Sequence, residues 1–196
     1  MNQEPHNITM MYTQEQKQIL VSTARSSIQH GLQSGKTIKI NLKSYASELQ
    51  NIRATFVTLK IAQSLRGCIG TLEAKHPLVR GVAKHAYAAA FRDPRFKPLS
   101  HDEFEKITLS ISILTPAESI QFNSDSDLIQ QLNANIDGLI IQSGHRRATF
   151  LPAVWDSLPD AEQFLSQLKA KAQIPPQEKL TEAWRYKAVE IHENEI

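Results

Sequence analysis

The segment Leu65-Arg66-Gly67-Cys68-Ile69-Gly70-Thr71 holds the densest chemical capacity in this 196-residue chain. On an extended strand alternate side chains share a face, so Arg66 and Cys68 point one way while Leu65 and Ile69 point the other. A guanidinium beside a thiol favours the thiolate, which is the nucleophilic form. Cys68 is therefore a candidate nucleophile or ligand-contact residue. The competing reading is a packing residue, because a free cysteine behaves as a small hydrophobe and is commonly buried. Gly67 and Gly70 weaken a strand unless another backbone or a ligand comes close, which makes both of them substrate-binding candidates beside Arg66.

A second group follows. Asp93 and Arg95 bracket Pro94, whose ring fixes the backbone and so the directions of both side chains. Asp93 reads as a catalytic base or an anchor, and Arg95 as a fork for a carboxylate or phosphate. The plainer alternative is an Asp–Arg pair that pins a loop. His85 continues the apolar stripe Leu78, Val82, Ala89, so it faces inward or lines a groove. It is either a satisfied core histidine or a substrate-binding residue of that groove, and it is the one residue here that offers a general base for the thiol. Arg147 shares a hairpin face with Thr149 and is either a solvated charge or a further wall of an anion site.

Other chemistries find no footing. Gly67-Cys68-Ile69-Gly70 matches the G-x-x-G of an RNA-clamping loop, but that loop joins helices and this one sits in strand periodicity. No phosphate-binding loop, dinucleotide fingerprint or H-E-x-x-H pattern occurs. The histidines show no i, i+4 pairing and there is one cysteine, so no metal and no cofactor is expected.

These residues need elements to position them. Thr13 with Gln16 forms a capping-box pattern that opens a helix carrying Leu20, Ala24 and Ile28, with Gly31 and Gly35 as stop signals. A short strand is expected over Ile38 to Leu42. Thr55, Val57, Leu59 and Ile61 alternate as a strand, and Gln63-Ser64 turns it into a second, Leu65 to Leu72. Pro77 suits the start of a helix bearing Leu78, Val82, Ala86 and Ala89. Pro94 and Pro98 forbid its continuation. Ile107, Leu109, Ile111 and Ile113 form a half-buried strand, and a helix is expected around Asp127 to Leu132. A hairpin follows over 139–151, turning at Ser143-Gly144-His145. A helix opened by Pro159 carries Phe164, Leu165 and Leu168, and a last strand is expected from Trp184 to Ile191. Irregular interleaving with two hairpins predicts an α+β fold with antiparallel sheet.

Composition bounds the rest. The net charge is only +2 and 41% of residues are hydrophobic, which argues for a globular chain and against a dedicated nucleic-acid binder. No apolar run approaches the ~20 residues of a membrane span, and no secretory leader is visible. A single cysteine points to a reducing, cytoplasmic compartment. Residues 1–12 read as a loose arm, 13–192 as one domain.

Several motifs occur in order: Leu65-Arg-Gly-Cys-Ile-Gly-Thr71, Asp93-Pro-Arg-Phe-Lys-Pro-Leu99, Ile113-Leu-Thr-Pro116, Asp137-Gly-Leu-Ile-Ile141, Arg147-Ala-Thr-Phe-Leu-Pro152 with Val154-Trp155, and Phe164-Leu-x-x-Leu-Lys-x-Lys-Ala172. Together they resemble the AMMECR domain family, whose microbial members are often called AmmeMemoRadiSam system protein A. The departures are local: Arg53-Ala54 and Gln173 stand where glycine is common. The resemblance implies an α+β fold with a larger and a smaller subdomain built from discontinuous segments. It also implies a cleft between them that residues 66 to 70 line. It brings no established activity. Its system name implies association with Memo-like and radical S-adenosylmethionine (radical SAM) proteins. The expected function is an enzyme or enzyme component acting on a small anionic substrate, with a non-catalytic docking module of the same pathway as the alternative.

Overall fold

The computed structural model describes residues 12–196. The expected arm therefore lies outside the described residues except for Tyr12, which is buried in the core. The chain divides into two compact units. The first takes the chain up to Leu114 together with Val189–Ile196, and the second is Thr115–Ala188.

In the first unit, helix α1 (Gln14–Ser34) starts at Thr13, whose hydroxyl accepts the Gln16 N–H while the Gln16 side chain accepts the Thr13 N–H. This reciprocal cap satisfies two otherwise orphaned donors. Gly35 ends the helix in the left-handed region, φ 67°. The strand expected at Ile38–Leu42 does not form. A 3-10 turn (Leu42–Ser44) and a short helix α2 (Ser47–Gln50) occupy this region instead. Segment 35–40 lies along a helix, so its contacts go to side chains and helix carbonyls rather than to a strand ladder.

Strands β1 (Ile52–Arg53) and β4 (His76–Pro77) pair as a two-residue ribbon. The hairpin of β2 (Thr55–Ile61) and β3 (Ser64–Gly70) forms as the period-two pattern requires. It turns at Ala62 and Gln63, both with positive φ. With β5 (Ile107–Leu114) and β10 (Ala188–His192) they make a sheet in the order β10-β5-β2-β3. Helix α3 (Leu78–Phe91) covers one face, and α1 lies on α3. Ser27 donates to Ala83 O at 2.7 Å across that helix pair. The core gathers Leu20, Ile28, Val57, Leu59, Val82, Ala86, Ile111 and Val189. Each fully buried aliphatic side chain contributes about 1.5–3 kcal/mol before entropy is counted. Helix α4 (His101–Phe104) carries its own capping box, Ser100 with Glu103.

The second unit is an antiparallel sheet in the order β6-β9-β7-β8, with β6 (Glu118–Ile120), β7 (Gly138–Ser143), β8 (Arg146–Phe150) and β9 (Glu182–Tyr186). Helices α5 (Asp125–Gln130) and α6 (Ala161–Lys171) share a core with it around Trp155 and Phe164, whose rings stack 3.8 Å apart. The single strand expected from Trp184 to Ile191 is two. Lys187 separates β9 from β10, and they belong to different sheets. The fold is α+β with antiparallel sheets. No helix among the described residues is long and apolar enough to cross a membrane.

Candidate functional site

Strand β3 lies at the edge of its sheet, so one side of its backbone has no strand partner. An edge of this kind must be covered or it becomes a template for foreign strands. Here the loop after α3 covers it. The Cys68 N–H donates to Asp93 Oδ2 at 2.9 Å, and the Cys68 carbonyl accepts from Arg95 Nη2 at 3.3 Å. The Asp-Pro-Arg turn thus gives Cys68 both hydrogen bonds that a neighbouring strand would have supplied.

Asp93 is buried, with 4% of its surface exposed. Its two oxygens accept four donors: Arg95 Nη2 at 2.7 Å, Arg95 Nε at 2.9 Å, the Arg95 N–H at 3.1 Å and the Cys68 N–H. The guanidinium, foremost, holds its carboxyl well below the usual carboxylate range. A carboxylate so fully engaged is an anchor, and it has no lone pair or affinity left for taking a proton at neutral pH. Of the two sequence readings of Asp93, the geometry matches the pinning pair. The Arg95 side chain remains 53% exposed, and its Nη1 makes no hydrogen bond among the described residues.

Arg66 is committed to an acidic partner. Its guanidinium grips Glu103 with two bonds, Nε–Oε1 at 2.8 Å and Nη2–Oε2 at 2.9 Å, and also donates to Lys97 O. Arg66, with the Ser100 cap, draws the Glu103 carboxyl down to about 2. Glu103 is the partner that sequence reasoning missed. Its capping role was visible, but its second role crosses 37 positions that no local pattern links.

Cys68 is half-buried, and its sulfur accepts a hydrogen bond from Thr58 Oγ1 at 3.3 Å. Because Cys68 pairs with Thr58, and Thr58 with Ser110, these side chains share the sheet face away from α3. His85 stands on the other side. It projects from α3, is buried, and bonds through Nδ1 to Thr55 Oγ1 at 2.8 Å, three residues along β2 from Thr58 and hence on the opposite face. Burial, helped by Lys84, lowers it to about 4, so it is neutral at pH 7. It is the satisfied core histidine, and the sheet separates it from the thiol.

The glycines have a packing reason. A Cβ on Gly67 would lie 2.1 Å from Ala89 O in the backbone of α3, and one on Gly70 would lie 2.3 Å from Thr55 O and the Phe56 ring. Of the two causes that can put glycine in a strand, close approach of another backbone accounts for Gly67 without a ligand. Arg147 belongs to the second unit, where its guanidinium lies 5.0 Å over the Trp184 ring. The structure thus brings together Arg66, Gly67, Cys68, Asp93 and Arg95 on one sheet edge. His85 lies behind the sheet.

Further along the same face, Ser112 Oγ donates to Glu190 Oε2 at 2.9 Å, while Glu190 Oε1 is buried with no partner among the described residues. Burial pushes the Glu190 carboxyl up. Among the described residues, no three of His, Cys, Asp and Glu lie together as metal ligands would.

The model of the AMMECR1 family matches residues 21–191. The chain belongs to the AMMECR1 family. A relative from Methanothermobacter thermautotrophicus is 33% identical over 190 residues, covering 93% of this chain and 96% of its own. Another from Methanocaldococcus jannaschii is 35% identical, covering 93% and 88%. The crystal structure of an uncharacterized protein from Pyrococcus horikoshii superposes with a TM-score of 0.84 at 31% identity, covering 91% of this chain and 92% of that one. Residues Arg66–Gly70, within the matched span, form the capped edge strand described above.

Proposed function

We propose that this AMMECR1-family chain is an enzyme or enzyme component that takes a small anionic substrate at the Cys68–Arg95 edge. One observation carries the reading. Arg95, its side chain 53% exposed, is fixed by a buried carboxylate along its Nε–Nη2 side and leaves Nη1 without a hydrogen bond among the described residues, next to the residue that bears the only thiol. A guanidinium held in this way pays little ordering entropy when a carboxylate or phosphate binds. Arg92 and Lys97, both exposed, flank it and add positive field. The lone cysteine fits a reducing cytoplasm, and Memo-like and radical SAM proteins are the partners this reading proposes. Substrate contact would come from Arg95 and Cys68. Arg66 and Asp93 act through the backbone they hold.

The test is a titration with inorganic phosphate, then with short dicarboxylates, followed by amide NMR shifts. Saturable shifts centred on Cys68 and Arg95, absent in Arg95→Ala, support the reading. Uniform or absent shifts remove it.

One specific observation favours the second reading, a non-catalytic module that docks to pathway proteins. Among the described residues, none of three candidates is free to act as general base at Cys68: Asp93 is saturated, Glu103 is taken by Arg66 and His85 is behind the sheet. Co-purification with a Memo-like or radical SAM protein that survives Cys68→Ala, with no anion binding, would establish it.

A further inference from the structure

The solvent-facing stripe of α3 is cationic, although the whole chain carries a net charge of only +2. Arg80 and Lys84 are exposed, while Val79 and residues 81–83 between and beside them are buried. They stand about 6 Å apart along the helix axis. Segment 35–43 runs beside them. Tyr87 donates its hydroxyl to Gly35 O at 2.6 Å, Thr37 donates to Ala83 O at 3.4 Å, and Arg80 Nη2 reaches Ile40 O at 3.5 Å. That segment adds Lys36, Lys39 and Lys43, all exposed. From the other side β4 brings His76, with Nε2 3.1 Å from Lys84 Nζ.

Among the described residues, no ion pair compensates this charge. Residues 31–47 and 74–92 contain no Asp or Glu. Lys36, Lys39, Lys43, Arg80 and Lys84 make no ion pair among the described residues, and the neighbouring Glu73 is occupied by Lys75 at 2.5 Å. His76 registers the crowding: burial first, then Lys84, Arg80 and Lys75, pull it below its ordinary value, so it stays neutral and accepts from Lys84. Five uncompensated cations repel one another, a cost that binding of an anionic partner removes.

We propose that the surface formed by Arg80, Lys84 and Lys36, Lys39 and Lys43 docks an acidic segment of a partner protein. A protein carboxylate fits better than a nucleic acid. Four of the five cations are lysines, point charges without the bidentate fork used on phosphates and bases. Tyr87, the aromatic side chain hydrogen-bonded to this segment, has its hydroxyl committed to Gly35, and base recognition on single strands relies on free aromatic platforms. The inference is independent of the Arg95 site.

The experiment is fluorescence anisotropy with a labelled ten-residue polyglutamate, run at low and physiological salt on the full chain. The double variant Arg80→Glu with Lys84→Glu should bind at least tenfold more weakly. Lys60→Glu with Lys106→Glu, an equal charge change at exposed positions elsewhere, should stay within twofold of the parent. Lys36→Gln with Lys39→Gln gives an independent, milder weakening and checks the surface if the double variant fails to fold. No binding by the parent, equal weakening by the control pair, or a ten-nucleotide thymidine strand binding tenfold more tightly than the peptide would each overturn the proposal.

Discussion

The Asp93 carboxylate accepts the backbone N–H of Cys68 at 2.9 Å, so an acidic side chain from a loop completes the hydrogen bonding of an edge strand. Both residues of the proposed site, Cys68 and Arg95, are held through this one group. Removing it leaves a part-buried N–H and one side of a guanidinium without partners. Hydrogen bonds to charged groups contribute about 1.5–3 kcal/mol each, less where one partner is exposed as Arg95 is. Asp93→Ala is expected to lower stability by about 2–3 kcal/mol in urea unfolding, with faster amide exchange at Cys68. A loss below about 0.5 kcal/mol would contradict the anchor role.

Acid sensitivity follows from the same groups. Arg95 holds Asp93 well below its unfolded value, and Arg66 draws Glu103 to about 2. Depressed folded-state values mean that their stabilisation is fully present above the unfolded carboxylate range, near pH 4, and is lost as pH falls through the folded values. Stability should therefore decline steadily below about pH 5. The decline should be shallower in Asp93→Asn with Glu103→Gln, a difference that thermal unfolding from pH 7 to 2.5 measures.

Gly67 makes a prediction that separates packing from ligand binding. Its missing Cβ would meet Ala89 O at 2.1 Å, a helix backbone atom that cannot swing away. Gly67→Ala should cost about 3 kcal/mol or more, the upper range for overpacking, in the absence of any ligand. Gly35→Ala, with φ 67° and open space around it, should cost only the left-handed penalty of about 1–2 kcal/mol. Equal, small losses for both would mean that β3 does not sit against α3 as described.

Glu190 behaves oppositely to Asp93. Burial raises its folded-state value, and Oε1 has no partner among the described residues. Its stabilisation is fully present below the unfolded value and is lost as pH rises through the folded one. Glu190→Gln should match the parent near pH 4 and exceed it at pH 8, on the order of 1 kcal/mol or a Tm rise of about 2–4 °C. A variant less stable at pH 8 would show that the ionised carboxylate has a partner.

What was legible in the sequence was local. The Thr13–Gln16 and Ser100–Glu103 caps, the 55–70 hairpin and the stripe of α3 depend on neighbours a few positions apart, and each formed. The Arg66–Cys68–Asp93–Arg95 constellation was readable as a set of residues, but its wiring was not. Glu103 sits 37 positions from Arg66, and nothing between them says that the guanidinium turns to a carboxylate rather than to the thiol. His85 could be read as facing inward or lining a groove, and its side of the sheet depends on the β2–β3 register and on where α3 lands. The run from Trp184 to Ile191 alternates apart from a change of phase at Ala188-Val189, its one local mark of a break. Only tertiary structure shows that Lys187 passes it from one sheet to another.

The central claim, an anion grip at Arg95 beside Cys68, is tested most directly by alkylating Cys68 with iodoacetamide while inorganic phosphate is raised at constant ionic strength. The account predicts saturable protection of the thiol in the parent protein and no phosphate dependence in Arg95→Ala. A rate that ignores phosphate in the parent, or that falls equally in both proteins, would contradict it.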